Sequence, residues 1–501
     1  MQIVEKTEER QEERSDAAAV RTRAVSGAKA LAMRTAVSVI LRIVSSLVLA
    51  RLLFPADYGL FAVASYITGL GMFLSDVGLG GALVRQAQAP TKDESFTVFI
   101  SQQALTAVVA LTVIVSAPWI IHSYHLTPNA AILLIVMTAT LFLSSLRVVP
   151  VMALERALRF PAIARCEMME NVVQTVTTIL LAYLHFGAWA LAGGTILRGF
   201  LGLIYIWSMS PWRPNGKFRP EIVKRLARFG VAMQLNAIVP SLVNGWLPIM
   251  VGRMLGIASV GLVGWATNIA SVPLMLSAVL NRVAFPAYSR LQSDPEALGN
   301  YLTSSVRRIG SVFCILLPLV VIAAPALIPE IFHKRWTAAV PLVQWFCLEC
   351  GVLTITGLLA SAQNALGRAE ERLAVTIAVG VVRWGAGFLA IKAFGIAGIG
   401  PTMFAITTLE LALTTWLVWR RTAGSATLPL DIFRPLLAIG MILKVSLIAG
   451  AALAHDHIFM SSLVSLVTFA ALLGIFEFVT RGRLVARDAV SMVSMLRSSE
   501  R

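Results

Sequence analysis

The chain has 501 residues, 57% of them hydrophobic and only 14% charged, and its formal net charge is +16. A soluble domain carries about 25% charged residues, so a mean hydropathy of +0.78 excludes an ordinary soluble fold. Four cysteines make no disulfide framework, and the positive charge comes without a nucleic-acid-binding motif.

Continuously apolar runs of roughly 20 residues recur from residue 35 to residue 479. Each matches the ~20 helical residues that cross a ~30 Å hydrocarbon core. The runs are continuous rather than alternating, which predicts helices and not a β-barrel. The expected fold class is therefore an all-α membrane protein of about fourteen transmembrane helices. In chain order the first seven run over 35–53, 58–80, 96–120, 130–150, 166–186, 189–209 and 229–252. The next seven run over 259–281, 308–331, 338–362, 373–391, 396–419, 435–454 and 459–479. A polar segment, 1–34, precedes the first span without a small-residue cleavage site, so span one is expected to be an uncleaved anchor.

Positive charge orients the spans. With a cytoplasmic N-terminus, thirty-three of the 42 Lys and Arg fall on the cytoplasmic side. Five fall outside, at Arg51, Arg253, Lys334, Arg335 and Lys392, and four lie within spans, at Arg42, Arg198, Arg383 and Lys444. The bias predicts both termini in the cytoplasm. The most basic stretch, Arg213 to Arg228, then lies beside anionic headgroups. External connections are short, the longest near His122 to Asn129, so no extracytoplasmic domain is expected. Cys347 and Cys350 form a C-x-x-C inside span ten, where packing is the expected role.

The chain also repeats itself. Residues 51–67, RLLFPADYGLFAVASYI, align at an offset of 202 with residues 253–269, RMLGIASVGLVGWATNI. The alignment pairs Arg51 with Arg253 and Gly59 with Gly261 at equivalent outer turns. Six spans separate the copies, which predicts a parallel repeat with a pseudo-two-fold along the membrane normal. The expected organisation is a six-helix lobe over 35–209, a basic loop over 210–228 and a second lobe over 229–419. Two additional helices over 435–479 and a cytoplasmic tail over 480–501 complete it.

Residues 48–63, VLARLLFPADYGLFAV, and 74–86, LSDVGLGGALVRQ, resemble the polysaccharide transporter family of the multidrug/oligosaccharidyl-lipid/polysaccharide flippase superfamily. ALERALRF at 153–160 and QNALGR at 363–368 are similar to that family's loops after spans four and ten. The resemblance implies a V-shaped, two-lobed transporter in a bacterial inner membrane. It implies a substrate, an undecaprenyl-diphosphate-linked oligosaccharide, moved outward for O-antigen, capsule or exopolysaccharide assembly. Its partners would be that substrate, membrane lipids and other polysaccharide-assembly proteins, with no nucleic acid and no cofactor.

Charges at membrane depth cost ~2.5–3.5 kcal/mol each and usually face a protein interior. Arg42, Arg198 and Arg383 lie about 10, 14 and 15 Å into their spans at 1.5 Å per residue. A guanidinium binds phosphate oxygens with a planar fork, so these three are the candidate substrate contacts, against an alternative of pairing with buried acids. Gln234, Asn236 and Asn244 join them on span seven, which Pro240 and Pro248 break. Asp76, Glu349 and Glu410 are candidates for ion coupling or for arginine pairing; Glu167 and Glu170 read as interfacial. No Gly-rich phosphate loop or metal-ligand cluster is visible, which favours transport over catalysis. A peptidoglycan lipid-precursor flippase and a multidrug exporter share the fold as alternatives. A membrane glycan polymerase or ligase would want a large external loop, which the spans do not leave.

Overall fold

The computed structural model describes residues 39–479 except 77, 86–87, 127, 273, 275–283, 285–286, 423–427 and 455–456. At 82, 84, 85, 128, 227–233, 235–237 and 479 only the backbone is described. Every regular element among the described residues is helical. The chain divides into two compact units, one ending at Ser241 and the other beginning at Leu242.

The first unit opens with α1 over 39–52, α2 at Pro55–Asp76 and the short α3 at Leu79–Arg85. α4, Lys92–Tyr124, has 33 residues, about 50 Å at 1.5 Å per residue, so it outruns a ~30 Å core. Its start is set by a capping box: the Glu94 N–H donates to Thr91 Oγ1 and the Thr91 N–H to Glu94 Oε2. It ends where His125 turns left-handed at φ 52°. α5, Pro128–Ser145, and α6, Val148–Arg156, are one apolar stretch broken by a turn at Leu146 and Arg147. α7, Phe160–Tyr183, and α8, Ala188–Met209, form a close hairpin. Glycine makes that closeness: a Cβ at Gly194 would overlap Thr178 Oγ1, and one at Gly202 would overlap the Glu170 carboxylate. Leu133, Met137 and Ala192 are among the side chains that close the core between α2, α4, α5 and α8.

The loop after α8 is docked, not loose. The Lys217 and Arg219 N–H groups donate to Asp93 Oδ1 and Thr97 Oγ1 at 2.9 and 3.0 Å. Arg219 pairs with Asp93 at 2.7 Å, and Arg225 pairs with Glu94. Phe99, Trp207 and Trp212 cluster beneath. α9, Pro220–Asn244, follows and carries the unit boundary near Pro240.

In the second unit, α9 gives way to a π-helical turn at Leu247–Val251 and a short α10 at Gly252–Leu255. After α11, Ile257–Ala270, come α12 at Pro295–Phe332, α13 at Val340–Ala365, α14 at Ala369–Phe394 and α15 at Ile399–Trp419. α16, Leu428–Leu453, and α17, Ile458–Val479, pack on α12. The main core joins α12, α13, α15 and α16 through Leu302, Phe313, Leu359 and Ile432 among others. Trp265 stacks on Trp336 with ring centroids 4.4 Å apart. Cys347 and Cys350 are buried, and Cys350 Sγ donates to the Ala270 carbonyl at 2.9 Å, tying α13 to α11.

Ten helices among the described residues are long and apolar enough to cross a membrane. Large apolar side chains stay exposed along them, including Trp119 at 66%, Val381 at 69% and Phe478 at 87%. Water would not tolerate so continuous an apolar surface, and lipid does. The protein is a multi-pass membrane protein.

The two repeat turns have like local geometry. Arg51 and Arg253 each stand exposed at a helix end, and Gly59 and Gly261 are each buried early in the next helix.

Candidate functional site

Among the described residues, each unit holds an arginine-centred polar cluster within its apolar helices. In the first unit the organiser is Glu170, on α7 with 2% exposure. This differs from the interfacial position expected of it. Glu170 sits in the niche left by Gly202 on α8. Arg147 Nη1 donates to its Oε1 at 2.7 Å and Arg198 Nε to its Oε2 at 3.4 Å. Arg198 Nη1 also donates to Gln174 Oε1 at 2.8 Å. The Cys166 thiol lies 3.4 Å from Glu170 Oε1. Two guanidiniums therefore share one carboxylate. Both arginines remain partly open, at 21% for Arg147 and 39% for Arg198.

The second unit gathers four of the predicted residues. Arg383 on α14 pairs with Glu410 on α15 at 3.9 Å and donates from Nη1 to Asn244 Oδ1 at 3.4 Å. Thr407 Oγ1, on α15, donates to Glu349 Oε1 on α13 at 2.7 Å, which ties that carboxylate to the helix that carries Glu410. Arg383 is the more enclosed arginine, 12% exposed, and its Nε–H is buried without a partner. α9 and α14 can approach because Gly380 and Gly387 face Val243 and Trp246.

Apart from Asp76, which shares a pocket with Arg147, the other candidates stand away from these clusters. Arg42 on α1 is exposed. Asp76 accepts from Gln102 Nε2 at 3.1 Å and lines a pocket of about 340 Å³ with Ser144, Arg147 and Glu155. Gln234 Nε2 donates to the Phe73 carbonyl at 2.6 Å. The Asn236 side chain lies outside the described residues. Lys444 lines a separate, largely apolar cavity of about 900 Å³ against α12 and α13.

Sequence reasoning had missed Arg147, Glu170 and Gln174. A signal was there: Cys166, Glu170 and Gln174 recur every four residues on one helix, and Gly194, Arg198 and Gly202 do so on the next. Two polar stripes at helical spacing on consecutive spans can face each other.

An all-helical fold of lipid-facing spans, with basic clusters inside it and no strand among the described residues, is the architecture of a membrane transporter. The fold matches the solved structure titled "Lipid II flippase MurJ, inward closed conformation" with a TM-score of 0.67, over 89% of this chain and 98% of that one, at 12% identity. Residues 48–341 match the family described as Polysaccharide biosynthesis protein, and the chain belongs to that family. It is 28% identical to the succinoglycan biosynthesis transport protein ExoT of Rhizobium meliloti (strain 1021), covering 63% of each chain. It is 26% identical to the lipopolysaccharide biosynthesis protein WzxC of Escherichia coli (strain K12), covering 76% of each. The chain thus spans just under two thirds of the rhizobial protein's length and about three quarters of the other's.

Proposed function

We propose that the protein is a flippase that carries undecaprenyl-diphosphate-linked oligosaccharide from the cytoplasmic to the outer leaflet of a bacterial inner membrane. Membership of the polysaccharide biosynthesis family supports the reading. The observation that carries it is the pair of membrane-embedded arginine clusters, one per unit. A diphosphate crossing hydrocarbon must have its charge met along the way, and guanidinium forks meet it with hydrogen bonds as well as charge. Arg42, Arg198 and Arg383 are the proposed diphosphate contacts, with Gln234, Asn236 and Asn244 as sugar or amide contacts. Asp76, Glu349 and Glu410 are the proposed coupling acids.

Fourteen spans with both termini in the cytoplasm, and two six-helix repeats over 35–209 and 229–419, belong to the same proposal. No bond of the substrate is made or broken, so the protein acts as a carrier and not as an enzyme. The test is deletion of the gene. Surface glycan should be lost while lipid-linked oligosaccharide of full length accumulates inside. Accumulation of a peptidoglycan precursor instead would assign the protein to that pathway, and unpolymerised glycan on the outer leaflet would point to a polymerase.

A further inference from the structure

The first unit's triad is built around the wrong residue for a simple salt bridge. A buried carboxylate needs one cation, and Glu170 has two, on α8 and at the α5–α6 break. Replacing buried ion pairs with apolar side chains is often neutral or stabilising, so such a triad is weak as a fold stabiliser. Its cost is visible in the packing. Gly202 gives up its side chain so that the carboxylate can enter, Cys166 is turned toward it, and Gln174 is turned toward Arg198.

We propose that Glu170 is a positioning residue that holds Arg147 and Arg198 side by side, and that Arg147 is a second phosphate contact beside Arg198. This rests on the reading of Arg198 as a diphosphate contact. Glu170 spends one oxygen on each arginine, which tethers both guanidiniums to the same carboxylate. Two guanidiniums tethered to one carboxylate offer one to each of the two adjoining phosphates of a diphosphate. Arg198 uses Nε and Nη1 on Glu170 and Gln174, which leaves Nη2 for an incoming oxygen. The pocket that Arg147 lines also holds Asp76 and Glu155, and neither Arg198 nor Glu170 lines it. Those acids repel an anion, so Arg147 serves a phosphate from the side it shares with Arg198.

The signature is selectivity, not affinity alone. Glu170→Gln removes a negative charge. On charge alone that change should tighten binding of undecaprenyl monophosphate and undecaprenyl diphosphate alike. If Glu170 positions the arginines, the preference for diphosphate over monophosphate should instead fall about tenfold, the worth of one charge-assisted hydrogen bond. Both lipids would be titrated against the purified full chain in detergent by native mass spectrometry. Arg147→Gln should lower the same ratio, and Arg147→Lys should restore part of it. Gly202→Ala keeps every charge and displaces the carboxylate, so it guards against a Glu170→Gln protein that fails to fold.

An unchanged ratio in Glu170→Gln and Arg147→Gln, with weaker diphosphate binding in Arg198→Gln, would overturn this inference and leave the proposed function standing. An unchanged diphosphate affinity in Arg198→Gln as well would overturn both.

Discussion

Thr97 holds the loop after α8 against the start of α4, and its removal has a calculable effect. Thr97 is fully buried; its Oγ1 accepts the Arg219 N–H at 3.0 Å and donates to the Lys217 carbonyl at 3.4 Å. Thr97→Val keeps the shape and removes both bonds. Losing a hydrogen bond and leaving a backbone N–H without a partner costs about 1–3 kcal/mol; the loop can rehydrate, so the lower half of that range applies. About 1.4 kcal/mol is a tenfold rise in the opened loop. The loop stays mostly docked, because Asp93 and Glu94 still hold Arg219 and Arg225.

Limited trypsin digestion reads that opening. Arg213 and Arg219 are each followed by proline and resist trypsin, so the bond after Lys217 is the scissile one in the 211–219 segment. When the loop recloses faster than it is cut, cleavage follows the opened population. The account expects cleavage about ten times faster in Thr97→Val than in wild type, with Thr97→Ser close to wild type. It also expects cleavage in inverted vesicles and protection in right-side-out ones, since the loop is placed in the cytoplasm. Equal rates in wild type and Thr97→Val would refute the docking, and cleavage in right-side-out vesicles would refute the orientation.

Gly202→Ala should lower the thermal unfolding temperature in detergent, with a cost of about 1–3 kcal/mol for overpacking. Gly385→Ala, where a Cβ meets nothing within 4 Å, should be neutral or slightly stabilising. Arg42→Lys should retain more transport than Arg42→Ala, because lysine keeps the charge and loses only the planar fork; equal loss would mean that the fork is what counts. Glu410→Gln should free Arg383 from its acid and change the pH dependence of transport while diphosphate binding persists. A binding loss equal to that of Arg383→Gln would remove the distinction between the two roles.

The membrane-spanning character was legible because it is a one-dimensional property: each predicted span is helical over most of its described residues. Helix breaks were legible in part. Pro240 and Pro248 marked the region where α9 ends and a π-turn begins, whereas nothing local announced the turn at Leu146 and Arg147. The second cluster was legible as a set of residues, since Arg383, Glu410, Glu349 and Asn244 stood out as polar groups at membrane depth. Their pairing was not, because it depends on which faces of α9, α13, α14 and α15 meet. Glu170 was misread for the same reason. Three residues from Glu167 near a span start, it looked interfacial until Gly202 on the neighbouring helix gave it a buried niche. Arg147 falls within the predicted span 130–150 but counts among the thirty-three cytoplasmic charges, and only the fold brings it to α7.

The most direct test is transport itself. The full chain, purified and reconstituted into liposomes, would be supplied with the lipid-linked oligosaccharide that accumulates in the deletion strain, and its appearance in the opposite leaflet followed with a membrane-impermeant glycosidase. The account predicts protein-dependent exposure of the sugar that Arg198→Gln strongly slows. Sugar exposure at the rate of protein-free liposomes would contradict it.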